Sequence, residues 1–203
     1  MPAPYAAVAA VTKGFLPDDE GLALYDAARR ARPGLWLEVG TYCGRSTVHL
    51  GAAAREAGAH LVTLDHHRGS EENQPGWEWH DPALVDQHTG RLETLPALRR
   101  TLWDAGLDDT VSVLAATTQQ VAPWWSSPLT LLFLDGNHTE EVAQHDYAAF
   151  ARHLVPGGTL LVHDVFERPE DGGRAPWNVF CRALDEGFRQ VGRTGSLRVT
   201  TAP

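Results

Sequence analysis

Two rhythms of apolar and polar residues run through this chain. Short, nearly continuous apolar runs occur at Leu35 to Val39, His60 to Asp65, Thr110 to Leu114, Pro128 to Asp135 and Thr159 to Asp164. Their length and richness in Leu, Val and Thr predict buried strands. Between them lie stretches with helical spacing. Asp18 to Ala31 opens on three acids and places Leu22, Leu24, Tyr25 and Ala28 on an apolar face. Ser46 to Ala57, Thr94 to Ala105, Thr139 to His153 and Pro176 to Glu186 predict further helices. Pro33-Gly34 and Pro156-Gly157-Gly158 read as turns. Apolar strands alternating with helices predict an α/β fold, a parallel sheet covered on both faces. The tail differs. Phe188 to Val191 and Leu197 to Thr200 flank a glycine-rich turn, predicting a hairpin with an antiparallel edge.

In such sheets ligands bind at the carboxyl ends of the strands. Glu38, Asp65, Asp135 and Asp164 all fall there. Packing alone does not explain acids at four strand ends.

Composition narrows the class. The 203 residues suit a single domain spanning 1–203, and 43% hydrophobic with 21% charged residues is ordinary for a globular protein. A net charge of -9 argues against nucleic acid or an anionic membrane as partner. No apolar run nears the roughly 20 residues a bilayer span needs. Residues 1–17 read as a terminal arm rather than a signal peptide, because no basic segment precedes the apolar start. Cys43 and Cys181 are too few for a disulfide framework or a zinc site. A cytoplasmic protein is the simplest expectation. The polar stretch 66–90, carrying Trp77, Glu78, Trp79, His80 and Asp81, is long for a loop in a compact domain and reads as an active-site insertion or lid. Trp124-Trp125 fits either core or cleft wall.

The most specific signal is Leu35-Trp36-Leu37-Glu38-Val39-Gly40-Thr41-Tyr42-Cys43-Gly44-Arg45-Ser46-Thr47. Strand, glycine turn and helix N-terminus follow one another, so backbone N–H groups face a ligand. The spacing Glu38-x-Gly40-x-x-x-Gly44 is not the Gly-x-Gly-x-x-Gly of dinucleotide enzymes. It resembles the first motif of class I S-adenosylmethionine (SAM) methyltransferases. A carboxylate such as Glu38 suits the ligand's ammonium, and Gly40 allows close backbone approach. Asp65, at the end of the second strand, can accept both hydroxyls of a ribose. Two further stretches, Asp135-Gly136-Asn137-His138-Thr139 and Pro156-Gly157-Gly158 through His163-Asp164-Val165, resemble the Asp-Gly-Asp-His-Ser-Tyr and His-Asp-Val signatures of one family within that class. Its relatives include metal-dependent sugar O-methyltransferases and proteins described as cephalosporin hydroxylases. Lys13-Gly14-Phe15-Leu16-Pro17 resembles the same family.

The resemblance implies a Rossmann-like, mostly parallel seven-stranded sheet with an antiparallel C-terminal edge. It implies SAM held by Glu38, Gly40, Thr41, Tyr42, Gly44, Ser46, Asp65, His66, Ala116 and Thr117. It implies a divalent metal, magnesium by family habit, at Asp135, His163 and Asp164. His163 stands where many relatives carry an acid, although magnesium prefers oxygen. Asn137 replaces another acid, which leaves His138 as the expected base. Asp146 reads as a helix acid or a supporting partner, and His145 and His153 as helix-surface residues. The expected reaction is O-methylation of a saccharide or glycosylated small molecule, and relatives are often homodimers. A nicotinamide-dependent oxidoreductase or epimerase and a noncatalytic SAM-binding protein are the alternatives.

Overall fold

The computed structural model describes residues 1–77 and 79–203. Glu78, within the stretch expected to form a lid, lies outside the described residues. Five strands run parallel: β1 (Leu35–Val39), β2 (His60–Asp65), β3 (Val111–Ala115), β4 (Leu129–Leu134) and β5 (Leu154–Val162). β6 (Arg189–Thr194) and β7 (Leu197–Thr201) form the closing hairpin, and β7 lies antiparallel to β5. The strand order is β3-β2-β1-β4-β5-β7-β6. Growth of the sheet reverses between β1 and β4, the place where open α/β sheets leave a crevice.

Each strand sends alternate residues to opposite faces. Leu37, Val39, Leu132 and Leu134 meet Tyr147 and Phe150 on one side. Trp36, Leu131 and Phe133 meet Leu24, Leu50, Leu98 and Leu102 on the other. The second face is covered by α2 (Asp18–Ala28), α3 (Arg45–Ala57) and α4 (Leu95–Ala105). After β3 comes the short α5 (Thr118–Val121), and the first face is covered by α6 (Glu140–Phe150) and α7 (Ala175–Asp185). Burial on both faces is why these strands read as apolar runs.

One local expectation is filled in and one is corrected. The N-terminal arm contains a helix, α1 (Ala3–Val11). Its alanines favour helix and its proline sits in the first turn, where a missing N–H costs nothing. Pro156-Gly157-Gly158 lies within β5 rather than ending a turn before it. The register slips between the Leu129–Leu154 and Leu131–Thr159 pairs. That slip absorbs the extra residues as a bulge, and Gly157 N–H donates to the carbonyl of Ala202 at 3.1 Å. The insertion is packed: Leu84 and Leu92 are buried with Cys43, and Glu93 N–H donates to the Leu84 carbonyl at 2.8 Å. Among the described residues no helix is long and apolar enough to cross a membrane.

The backbone is tightest at the reversal point. Gly40 has φ +89°, and a Cβ there would lie 2.1 Å from the carbonyl oxygen of Asp135. Gly40→Ala should therefore lose about 2–5 kcal/mol of stability, from left-handed strain plus overpacking. Gly58 has a similar φ of +67° with nothing within 4 Å, so Gly58→Ala should show only the strain, roughly 1–2 kcal/mol. Urea unfolding compares them, and equal losses would contradict the tight contact.

Candidate active site

A cavity of about 560 Å³ opens at the carboxyl ends of β1, β2, β4 and β5. Its floor is stepped. Gly40 N–H donates to the Leu64 carbonyl at 3.0 Å, Asp135 N–H to Val39 at 2.9 Å, and His163 N–H to Leu134 at 3.1 Å. These bonds carry the ladder one residue past each strand and fix where the acids emerge. Tyr42 and Asp164, both on the wall, hold left-handed φ values of 50° and 54°. Such conformations are uncommon outside glycine and tend to gather at functional sites.

Most of the residues singled out from the sequence come together on this wall: Gly40, Thr41, Tyr42, Ser46, Asp65, His66, Ala116, Thr117, Asp135, His138, His163 and Asp164. Glu38 and Gly44 do not line it. Glu38 lies one residue before the end of β1 and points beneath the turn, where it is fully buried. It accepts hydrogen bonds from Ser46 Oγ at 2.6 Å and Thr47 Oγ1 at 2.7 Å. Burial pushes its pKa up to about 7, against these hydroxyls. Asp65 points into the cavity and braces the turn from above. One oxygen accepts from the N–H groups of Thr41 and Tyr42, both at 2.9 Å, and the other from His67 N–H at 2.7 Å.

At the ends of β4 and β5, acids surround His163, which is only 4% exposed. Nδ1 lies 2.9 Å from Asp135 Oδ1 and 3.4 Å from Asp164 Oδ2, and Nε2 lies 2.8 Å from Glu20 Oε2. The Glu20 approach is a close ion pair rather than a well-aligned hydrogen bond. Burial opposes charge on the ring, but the three carboxylates outweigh it and hold the pKa well above the histidine range. Burial likewise works against ionised Asp164, yet His138 and His163 hold its pKa below the usual carboxylate range. His138 Nε2 stands 3.1 Å from Asp164 Oδ2.

Glu20 was read from sequence only as a helix-opening acid. It sits four residues before Leu24 and eight before Ala28, in register with the buried stripe of α2. That register was the available signal. Asp146, on α6, is also on the wall; it is 5% exposed and its Oδ1 has no hydrogen-bond partner among the described residues. Burial raises its pKa to about 6, partly offset by Thr118. Trp79 lines the mouth of the cavity with Phe15 and Tyr42; the Phe15 ring centroid lies 5.2 Å from each of the other two. Trp77 does not line it, nor do Trp124, which is 85% exposed, and Trp125, which packs on Phe150.

The donor set does not fit magnesium. Asp135, His163 and Asp164 offer ligand atoms within 4.8 Å of one another. The imidazole, however, has carboxylates against both nitrogens. One Asp135 oxygen is taken by that ring. The other oxygens of Asp135 and Asp164 remain, so the mismatch lies in the third position, where an imidazole faced by acids stands in place of the oxygen that magnesium prefers.

A family model described as a methyltransferase domain matches residues 37–165. The chain belongs to this methyltransferase family. Similar folds include cofactor-bound Rv0187 from MTB, 18% identical with a TM-score of 0.67, the match covering 98% of this chain and 88% of that one. An O-methyltransferase from Bacillus cereus in complex with SAH is 17% identical with a TM-score of 0.65, covering 100% and 92%. The O-methyltransferase TomG from Streptomyces achromogenes, in complex with SAM, is 14% identical with a TM-score of 0.63, covering 100% and 91%. At these identities the likeness is one of fold.

Buried Glu38 makes the stability of this methyltransferase depend on pH. Its folded pKa of about 7 lies above the ordinary glutamate value of 4.5, so between these values the folded state holds more protons than the unfolded state. Stability from this group is full below about 4.5, falls as pH rises to about 7, and then levels off. Glu38→Gln should remove that slope. Relative to wild type it should gain roughly 3 kcal/mol between the two ends, at 1.36 kcal/mol per unit. Urea unfolding across that range measures it; parallel curves for the two proteins would refute an elevated Glu38 pKa.

Proposed function

We propose that this protein is a SAM-dependent O-methyltransferase acting on a hydroxyl of a saccharide or glycosylated small molecule. The observation carrying the reading is that one cavity gathers the glycine turn and Asp65 together with His138 and Asp164. SAM, when bound, supplies an electrophilic methyl group on a sulfonium. Asp65 is the ribose acceptor in this reading. Gly40, Thr41, Tyr42, Ser46 and His66 meet the amino acid end, and Ala116 and Thr117 flank the adenine. Glu38 and Gly44 serve from behind, by shaping the turn.

Bound SAM would offer that methyl carbon to an acceptor hydroxyl held in line with it, and the carbon–sulfur electron pair would stay on sulfur. The hydroxyl proton goes to His138, and Asp164 holds that ring and stabilises the charge it gains. Much of the acceleration comes from holding two reactants in one cavity. The exposed rings of Trp79 and Phe15 beside Tyr42 support a sugar acceptor, because flat aromatic faces stack on the apolar faces of a pyranose. Net charge of -9 supports an acceptor other than nucleic acid. The reading takes residues 1–203 as one catalytic unit working in the cytoplasm, with the insertion as part of the acceptor wall. Metal assistance, expected from the resemblance, has no part in it, because the donor set does not fit.

Two variants test the reading. Asp65→Ala should weaken S-adenosylhomocysteine binding by about 1.5–3 kcal/mol, the range for hydrogen bonds to a charged group. Calorimetry measures this, and unchanged affinity, or tighter binding of NAD, would overturn the cofactor. His138→Ala should lower the single-turnover rate by roughly 10²–10⁴-fold with S-adenosylhomocysteine affinity kept. A rate within a few-fold of wild type would remove His138 from catalysis.

A further inference from the structure

We propose that His163, clamped between Glu20 and Asp135, fills with its own positive charge the place that a divalent cation has in the metal-dependent relatives, so that methyl transfer here runs without a metal. This rests on the methyl-transfer reading above.

Three elements deliver carboxylates to one ring. Glu20 comes from α2, Asp135 from the end of β4 and Asp164 from beyond β5. An imidazole has two nitrogens, and each has an acid within 2.9 Å. Coordination of a metal by His163 would have to break one of these pairs at a ring that is itself buried. Glu20 cannot simply swing away. It also accepts from Ser196 N–H at 2.9 Å and Ser196 Oγ at 2.8 Å, in the β6–β7 turn. The turn leaves no slack, since a Cβ on Gly195 would lie 2.1 Å from Glu20 Oε1. Asp164 in turn faces His138 with the oxygen that approaches His163. A charge relay of fixed position thus runs from Glu20 through His163 to Asp164 and the proposed base. Glu20 is a positioning residue, acting on the chemistry through His163. Replacing an acid by a cationic side chain, and supplying a buried acid from another helix to hold it, gives the cluster the positive centre that a bound cation would otherwise provide.

The test is titration calorimetry of chelator-stripped full-length protein with Mn²⁺ and Mg²⁺, with and without S-adenosylhomocysteine. Wild type should show no saturable metal binding at millimolar concentration, and EDTA should leave turnover within about twofold. His163→Asp, which restores an acid, should gain Mn²⁺ binding. Glu20→Gln should lower kcat by roughly tenfold, the lower end of the 10–100-fold loss usual for a supporting partner. Its S-adenosylhomocysteine affinity and acceptor KM should stay within about twofold, a split that general destabilisation would not produce. Submillimolar Mn²⁺ binding by wild type, lost in Asp135→Asn, would overturn the proposal even if His163→Asp fails to fold. Absence of S-adenosylhomocysteine binding in wild type would instead overturn the underlying methyl-transfer reading.

Discussion

The carboxyl edge of the sheet depends on one backbone contact, Gly40 against the carbonyl of Asp135. It occurs where β1 and β4 lie side by side and the sheet reverses its growth. No side chain fits between the two chains, so the turn after β1 and the acid after β4 share one wall. The ladder bonds that run past the strand ends then bring Asp65 and His163 to the same rim. A cavity of this kind follows from topology, and its chemistry from the few residues that emerge there.

Carboxylates do different work according to which way the strand aims them. Glu38 and Asp65 hold the same glycine turn from opposite sides. Glu38 lies below, on the hydroxyls of Ser46 and Thr47, and Asp65 above, on the amides of Thr41 and Tyr42. Hydrogen bonds to a charged group are worth about 1.5–3 kcal/mol each, enough to keep a loop rigid before any ligand arrives. At the ends of β4 and β5, Glu20, Asp135 and Asp164 share one imidazole. Burial works against charge on all three; pairing with the ring still draws Glu20 and Asp164 below the usual carboxylate range, whereas burial wins at Asp135 and holds it above.

Much of this was legible in the sequence. The parallel strands, the helices after them and the antiparallel tail were readable because burial on both faces writes itself as apolar runs, and amphipathic helices as a period near 3.6. Acids at strand ends marked the site. What stayed hidden has several causes, and the largest is contact between residues distant in sequence. Glu20 pairs with His163 and with Ser196, 176 residues away; nothing local reveals that partner, although its register with Leu24 pointed inward. Glu38 looked like a ligand residue because position within a strand does not give the face. Pro156-Gly157-Gly158 looked like a turn because a bulge and a turn use the same residues. The alanine-rich start carried helix propensity, but its dominant impression was an apolar arm.

The account turns on where the cofactor sits. A crystal structure of the protein with S-adenosylhomocysteine tests it most directly. The account predicts the ribose hydroxyls on Asp65, the adenine beside Ala116 and Thr117, and the sulfur facing the wall that holds His138 and Asp164, with His163 still between Glu20 and Asp135. S-adenosylhomocysteine bound away from Asp65, or a metal seated on His163, would contradict it.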